Sequence, residues 1–231
     1  MQLKTVDAAA EQSWNHVQLH SAVDRPKIVF WTCRNPAVVL GGAQKSSPDM
    51  CQRSRQSGID LLKRRAGGGA VLVGPWMLSM SLVVPPGHPL ASMGLHASYE
   101  WLGGVHAAAL QSIGIASQVL RSDDIARREP DNALSWACYG GFSVGEIVVD
   151  GRKLVGLAQL RSKRGVLFVS GAHLYSPDWG VLCEVFGRPS DAGKLEKRNT
   201  SCEGELGRRV TAQELYQNLQ YEFSRSIQTM I

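Results

Sequence analysis

The strand-like segments of this 231-residue chain come in runs that no helical segment interrupts, and this grouping constrains the fold more than any other feature. The runs are residues 27–31 and 37–40, residues 59–64, 70–73 and 78–84, and residues 144–149, 153–161 and 166–175. Within each run the segments are apolar or alternating, and glycine or proline separates them. A doubly wound parallel sheet requires strands and helices to alternate. We therefore predict an α+β fold, with mixed or antiparallel sheets packed with helices.

Helices are predicted on either side of these runs, and a loop between them. Residues 8–23 and 48–58 have helical patterns, and residues 97–113 place apolar side chains at steps of three and four before Gly114. At the C-terminus, Thr211 and Glu214 have the spacing of a capping box before an amphipathic helix. The helix repeats an apolar residue every four positions, at Leu215, Leu219, Phe223 and Ile227. Residues 121–131 are charged, lack an apolar period and are predicted to form a loop.

The composition excludes several classes of protein. No apolar stretch approaches the ~18 residues of a membrane span and no signal peptide is present, so we expect a soluble, cytoplasmic protein formed by one domain over residues 1–231. The net charge is +5, but the 25 Lys and Arg residues are dispersed, which favours an acidic protein partner or anionic substrate over nucleic acid. The five cysteines show no Cys-x-x-Cys spacing and indicate neither a disulfide framework nor a metal site.

The first candidate binding element is the segment of residues 64–70, in which two arginines precede three glycines. Gly67, Gly68 and Gly69 allow the backbone to approach a ligand, and Arg65 can bind a carboxylate or phosphate. Taken alone, such a glycine triplet is more often a flexible turn beside solvated arginines.

The second candidate element is the strand that follows the hairpin turn Asp150-Gly151. Lys153 offers a compact positive charge for an acyl carbonyl or phosphate oxygen, and Gly156 allows a ligand to pass close to the backbone. A lysine near a turn is, by itself, more often simply exposed to solvent.

Together the two elements resemble the biotin/lipoate A/B protein ligase superfamily. The resemblance rests on residues 64–70, on the Gly-Arg-Lys-containing strand of residues 151–158, and on their order and separation; it extends from Trp31 through the last helix. It implies a catalytic domain of the biotin/lipoate ligase type, with Arg65, the three glycines, Gly156 and Ala158 binding the acyl substrate. The smaller C-terminal accessory domain of many lipoate ligases is not expected within these residues.

Residues 132–139 resemble the cysteine loop of the octanoyltransferases and amidotransferases that are similar to lipoate-protein ligase A. The resemblance implies that Cys138 is a nucleophile that takes an octanoyl or lipoyl group as a thioester, with Lys153 lowering its pKa or holding the oxyanion. The acceptor would be a lysine of a lipoyl domain or a glycine-cleavage H-type carrier, and an acyl carrier protein could be the donor. Such a transferase needs no cofactor.

Two alternatives remain open at the level of sequence. An ATP-dependent lipoate-protein ligase would use ATP and Mg and form lipoyl-AMP beside Lys153, and a third possibility is a protein that binds acyl groups without catalysis. The chain departs from the superfamily pattern at Gly42, Gly74, Leu157 and Ser170, and His173 follows the position where a histidine is usual. These departures suggest a divergent acyl substrate or carrier, or a loss of catalysis.

Overall fold

The computed structural model of the protein describes residues 1–128 and 133–228, which form ten strands and nine α-helices. The strands are β1 (Leu3–Val6), β2 (Lys27–Cys33), β3 (Ala37–Leu40), β4 (Asp60–Lys63), β5 (Val71–Val73), β6 (Met77–Val84), β7 (Gln118–Val119), β8 (Ile147–Val149), β9 (Arg152–Ser162) and β10 (Gly165–His173). The helices are α1 (Ala8–His20), α2 (Pro48–Gln56), α3 (Pro89–Ser92), α4 (Leu95–Ser112), α5 (Ser122–Ala126), α6 (Trp179–Phe186), α7 (Ala192–Arg198), α8 (Cys202–Leu206) and α9 (Ala212–Gln228).

The strands form two mixed sheets. The seven-stranded sheet has the order β1-β2-β6-β10-β9-β8-β7, in which β1 and β2 are parallel and all other neighbours are antiparallel. The three-stranded sheet has the order β4-β3-β5, with β4 parallel and β5 antiparallel to β3. The predicted α+β class with mixed sheets is confirmed.

Helices α4 and α9 cover one face of the large sheet. Their apolar stripes bring Leu102 and Phe223 onto side chains such as Phe30 and Phe168, all four of them fully buried. The ring centroids of Phe30 and Phe223 lie 6.0 Å apart in an edge-to-face arrangement. At the start of α9 the Thr211 hydroxyl accepts a hydrogen bond from Glu214 N as predicted, while the Glu214 carboxylate binds Arg208.

The opposite face of the large sheet is covered by α1 and by the small sheet. Leu19 of α1 packs with Val83 and Leu167, and the small sheet joins α6 in a second apolar cluster that contains Met77 and Tyr139. A cleft therefore remains where the large sheet, the small sheet and α1 meet. Among the described residues, no helix is long and apolar enough to cross a membrane.

Two predicted segments differ from the structure. The loop predicted for residues 121–131 contains the one-turn helix α5, which buries no side chain and is stabilised by a hydrogen bond from Arg121 N to the Asp124 carboxylate, so it leaves no apolar period to detect. Residues 129–131 of that prediction lie outside the described residues. The strand predicted over residues 144–149 is limited to β8, because Gly145 has φ +84° and Glu146 turns towards β9.

Candidate active site

Cys138 is held against the end of the glycine loop by a short parallel bridge. Cys138 N donates a hydrogen bond of 2.7 Å to Ala70 O, and Ala70 N donates one of 2.8 Å to Trp136 O. Gln44 Nε2 donates to the same Trp136 carbonyl at 2.8 Å. Backbone from two distant parts of the chain thus fixes the position of the Cys138 thiol.

The glycines of this loop have different roles. A β-carbon on Gly69 would lie 2.6 Å from the Ala137 carbonyl carbon and 2.8 Å from Cys138 N, so the bridge can form only because this side chain is missing. Gly68 has φ +95°, and its neighbours Gly67 and Gly69 accept hydrogen bonds from Arg64 Nη2 at 3.0 and 2.9 Å. A β-carbon on Gly67 would meet nothing within 4 Å.

Lys153 lies behind the Cys138 loop, and its side chain is only 1% exposed. Its ammonium group donates to Cys138 O at 2.8 Å and Gly141 O at 3.2 Å, and it pairs with Glu146 Oε1 at 2.5 Å. These acceptors match the three N–H bonds of an ammonium. In this geometry Lys153 binds the backbone that carries Cys138.

The counterion of Lys153, Glu146, was not singled out in the sequence. Its second carboxylate oxygen accepts a hydrogen bond of 2.8 Å from Ser143 N, so the carboxylate also ties down the end of the Cys138 loop. Burial raises the pKa of Glu146, although the Lys153 charge opposes this effect. The sequence does contain a signal for this residue, because Glu146 lies inside a predicted strand, seven residues before the candidate Lys153.

Tyr139 covers the strand position of Gly156. Its hydroxyl donates a hydrogen bond of 2.5 Å to Gly171 O and accepts one of 3.3 Å from Gly156 N, and its ring stacks on His173 at 4.1 Å. A β-carbon on Gly156 would lie 3.3 Å from the Tyr139 ring, so the side-chain position of this glycine is occupied by tyrosine. Burial raises the pKa of Tyr139 well above its ordinary value, which keeps the hydroxyl protonated.

Two clefts meet at Cys138. The α1 cleft lies between α1 and the two sheets; its walls include Val39, Val73, Met77, Ala158, Leu167 and Val169. The loop cleft lies beyond the glycine loop; its walls include Gly67, Arg128, Phe142 and Arg198. Of the residues that the structure describes, only Arg64, Cys138 and Leu157 line both clefts. Cys138 therefore stands between a largely apolar cleft and one lined by guanidinium groups.

Arg64 has a donor available at this junction. Its Nη2 atom is used by the glycine loop, whereas Nε is buried and has no hydrogen-bond partner among residues 1–128 and 133–228. Arg65, the arginine that the resemblance singled out, is exposed at the rim of the α1 cleft, with Nη1 2.7 Å from His20 Nε2. Sequence reasoning did not select Arg64, because both arginines precede the glycines and only the backbone path decides which one turns inward.

The structure gives each departure from the superfamily pattern a location. The Ser170 hydroxyl lies 2.9 Å from His106 Nε2 of α4, and His106 is buried. A β-carbon on Gly42 would lie 2.5 Å from Arg65 O, and one on Gly74 would lie 2.4 Å from the Trp76 ring. Leu157 is at the junction of the clefts.

The remaining cysteines differ from Cys138 in their surroundings. Burial raises the pKa of Cys33 and Cys202 to about 12 and that of Cys183 to about 11. These three thiols are therefore poor nucleophiles. Cys51 is partly exposed, as Cys138 is, but it lies in α2 beside neither cleft.

Two mixed sheets that hold a cysteine between two clefts define a catalytic domain of the superfamily that attaches lipoyl and biotinyl groups to proteins. The chain belongs to the lipoyl protein ligase A/B catalytic domain family, whose sequence profile matches residues 7–224. It is 31% identical to the octanoyltransferase LipM of Moorella thermoacetica over 207 residues, which cover 87% of this chain and 74% of the relative. The corresponding enzyme of Brevibacillus brevis is 30% identical over 77% of this chain and 65% of its own length.

Solved structures show the same fold. A bi-partite lipoate protein ligase from Thermoplasma acidophilum superposes with a TM-score of 0.72 at 17% identity, over 98% of this chain and 82% of that chain. A biotin protein ligase from Aquifex aeolicus, in complex with biotin and ATP, has a TM-score of 0.55 at 13% identity, over 99% and 70% of the two chains. The predicted superfamily and domain type are confirmed.

Proposed function

We propose that this protein is an octanoyltransferase of protein lipoylation that carries the acyl group on Cys138. The observation that carries the proposal is the position of Cys138, which lines both the apolar α1 cleft and the loop cleft. The octanoyltransferases that the chain is similar to favour transfer over ATP-dependent ligation.

The reaction has two acyl transfers. The Cys138 thiolate attacks the thioester carbonyl of the donor, a carbon–sulfur bond forms to Cys138, and the donor's carbon–sulfur bond breaks and releases its thiol with the proton from Cys138. The amine of the acceptor lysine then attacks the enzyme thioester, so that an amide forms and the Cys138 thiol is restored by the proton lost from nitrogen. No ATP or metal ion is consumed.

The surrounding residues have separate roles in this proposal. Lys153 and Glu146 hold the Cys138 backbone, and Gly69 lets the glycine loop meet it. Arg64 Nε, which has no hydrogen-bond partner among the described residues, is a donor for a substrate carbonyl. Gly156 and Ala158 belong to the sheet wall of the α1 cleft, along which the acyl chain lies. Arg65 lies at the rim of the same cleft.

We propose the carriers from charge and chemistry. The acceptor is a lysine of a lipoyl domain or a glycine-cleavage H-type protein, and the donor is an acyl carrier protein; an acidic carrier suits the net charge of +5 and the guanidinium groups of Arg128 and Arg198 at the loop cleft. The reaction takes place in the cytoplasm, and residues 1–231 act as one catalytic domain.

The test replaces Cys138 by serine, which keeps the shape but substitutes a hydroxyl that hardly ionises near neutral pH. Intact-protein mass spectrometry after incubation with an octanoyl carrier should show a hydroxylamine-sensitive adduct on the wild type. The Cys138→Ser variant should form none, and its transfer to a lipoyl domain should fall by orders of magnitude. Cys51→Ser removes another partly exposed thiol and should behave like the wild type.

Undiminished carrier-to-carrier transfer by Cys138→Ser would overturn the proposal. Labelling of the acceptor from free lipoate with ATP and Mg, retained in that variant, would identify a ligase that uses an adenylate instead. A wild type that is inert in both assays would point to a protein that binds acyl groups without catalysis.

A further inference from the structure

Helix α1 places a buried carboxyl in the wall of the α1 cleft. Ala8, Glu11, Asn15 and Leu19 are spaced by three and four residues, so they share the buried face of the helix. Glu11 is 6% exposed and, like Asn15, lines the cleft. It forms no direct ion pair with any residue that the structure describes. Because a buried carboxylate without a direct partner is costly, packing alone does not explain this residue.

The charge that acts on Glu11 is that of Arg64. Helix α1 packs against β4, and Arg64 directly follows the last residue of that strand. Both residues line the α1 cleft. Burial raises the pKa of Glu11 to about 7, and the positive charge of Arg64 opposes this effect. The carboxylate and the guanidinium are therefore close enough for each to stabilise the charge of the other.

Arg64 requires such a negative charge in order to stay at the junction of the two clefts. Its Nη2 atom donates to the carbonyl oxygens of Gly67 and Gly69, and its Nε is buried with no hydrogen-bond partner among the described residues. A guanidinium cannot lose its charge in a protein. Without a carboxylate nearby, the side chain would therefore be more stable if it turned out of the cleft into water.

We propose that Glu11 is a positioning residue, whose carboxylate keeps the Arg64 guanidinium at the cleft junction with Nε available to the substrate carbonyl. This role rests on the proposed acyl transfer, in which Arg64 donates to that carbonyl beside Cys138. Negative charge develops on the carbonyl oxygen when the thiolate adds, and a donor that is already fixed in place stabilises this charge best. Glu11 itself contacts no reacting atom and exchanges no proton in the reaction.

The rate of thioester formation tests the role of Glu11. At pH 8, where the carboxylate is ionised, we expect Glu11→Gln to form the octanoyl thioester on Cys138 about tenfold more slowly than the wild type. Asp7→Asn is the matched control and should change the rate less than twofold, because it removes an exposed carboxylate directly before the same helix. Urea unfolding of both variants shows whether the fold is intact.

The effect of Glu11 must pass through Arg64. Arg64→Gln should also be slow, and the addition of Glu11→Gln to this variant should slow the reaction no further. If Glu11 acted by packing alone, the double variant would lose activity beyond the loss in Arg64→Gln. Losses that multiply in the double variant, or a wild-type rate in Glu11→Gln, would overturn the inference.

A binding measurement requires no thiol chemistry. Octanamide has the carbonyl group but no leaving group, and its affinity can be measured by titration calorimetry. At pH 8 the wild type should bind it about fivefold more tightly than Glu11→Gln or Arg64→Gln, the factor expected for one net hydrogen bond. As the pH is lowered through 7, this advantage over Glu11→Gln should shrink, because the Glu11 carboxylate becomes protonated.

The pH dependence can be assigned to Glu11 because the variant retains the other ionisable groups near it. His16, Lys63 and Arg65 also line the cleft, and the Glu11 charge acts on Cys33 in β2, whose pKa of about 12 keeps the thiol protonated. The affinity of Glu11→Gln for octanamide should therefore not depend on pH. An equal pH dependence in the wild type and in Glu11→Gln would contradict the positioning role.

Failure of this inference can be distinguished from failure of the proposed function. If no thioester forms on the wild type, but octanamide binding depends on Glu11 and Arg64 as expected, the acyl transfer fails and the positioning of Arg64 stands. If the thioester forms, but octanamide binds equally well to the wild type and to Glu11→Gln, the acyl transfer stands and the inference fails.

Discussion

At the scale of single residues, the site depends on one absent side chain more than on the glycine triplet as a whole. Gly69 faces the Ala137 carbonyl carbon at a distance that no β-carbon tolerates, whereas Gly67 faces open space. Both belong to the same loop and were predicted to bind substrate together. The packing separates their roles, because only Gly69 contacts the loop that carries Cys138.

We expect Gly69→Ala to disrupt the bridge between Ala70 and Ala137 and to slow formation of the Cys138 thioester at least tenfold. It should also lower the free energy of unfolding by ~1–3 kcal/mol, as over-packing does. Gly67→Ala is the matched control and should change neither quantity by more than ~0.5 kcal/mol or twofold. Thioester formation followed by mass spectrometry and urea unfolding measure both effects, and similar behaviour of the two variants would contradict this reading.

At the scale of elements, β8 and β9 form a hairpin that carries a buried ion pair. Glu146 precedes β8 and Lys153 lies near the start of β9, so the turn between the strands brings the two side chains to 2.5 Å. Lys153 then reaches the carbonyl groups of Cys138 and Gly141. The hairpin thus acts as the rigid support of the cysteine loop.

Removing one partner of this pair should be more damaging than removing both. Lys153→Met leaves the Glu146 carboxylate buried and unpaired, which should cost ~3–5 kcal/mol of stability. The double variant Lys153→Met/Glu146→Leu should recover much of that loss in urea unfolding, yet remain slow in thioester formation because the Cys138 and Gly141 carbonyls have lost their donor. If the double variant transfers octanoyl groups at the wild-type rate, Lys153 is not needed to position Cys138.

At the scale of the whole molecule, buried histidines join the layers on both faces of the large sheet. His106 of α4 contacts Ser170 on one face, and His173 stacks on Tyr139 on the other. Burial lowers the pKa of each to about 3, and the Lys153 charge acts on His173 in the same direction. The native fold therefore contains both rings in the neutral form.

This predicts acid sensitivity that begins near pH 6.5. Below that pH the histidines of the unfolded chain bind protons, whereas the two native histidines stay neutral until about pH 3. The free energy of unfolding therefore falls as the pH is lowered. Each histidine should contribute a loss of about 1.6 kcal/mol between pH 6.5 and 5. His173→Phe keeps a ring on Tyr139 and should reduce the slope in thermal unfolding, whereas His96→Gln, at an exposed site, should not. An unchanged slope in His173→Phe would exclude this histidine as a cause.

The periodic and turn-bounded features of the fold could be predicted from the sequence. The four-residue repeat of Leu215, Leu219 and Phe223 predicted α9, and the Asp150-Gly151 turn predicted the hairpin of β8 and β9. Helix α5 was not predicted, because it is stabilised by a local cap and has no buried face that would give an apolar period. The superfamily followed from the glycine loop and the lysine-containing strand in a fixed order, since glycines and charged residues at defined spacing restrict both the backbone and the ligand.

By itself, then, the sequence determined the α+β class, the superfamily, the loop that carries Cys138 and the strand that carries Lys153, because these depend on local periodicity and motif spacing. Only the tertiary structure decided that Gly69 rather than Gly67 meets the cysteine loop, that Arg64 faces the cleft junction, and that Asn15 of α1 lines the α1 cleft. The physical reason is that these contacts join residues far apart in the chain. Strand register and helix rotation set such contacts, and both are fixed by packing across the whole core.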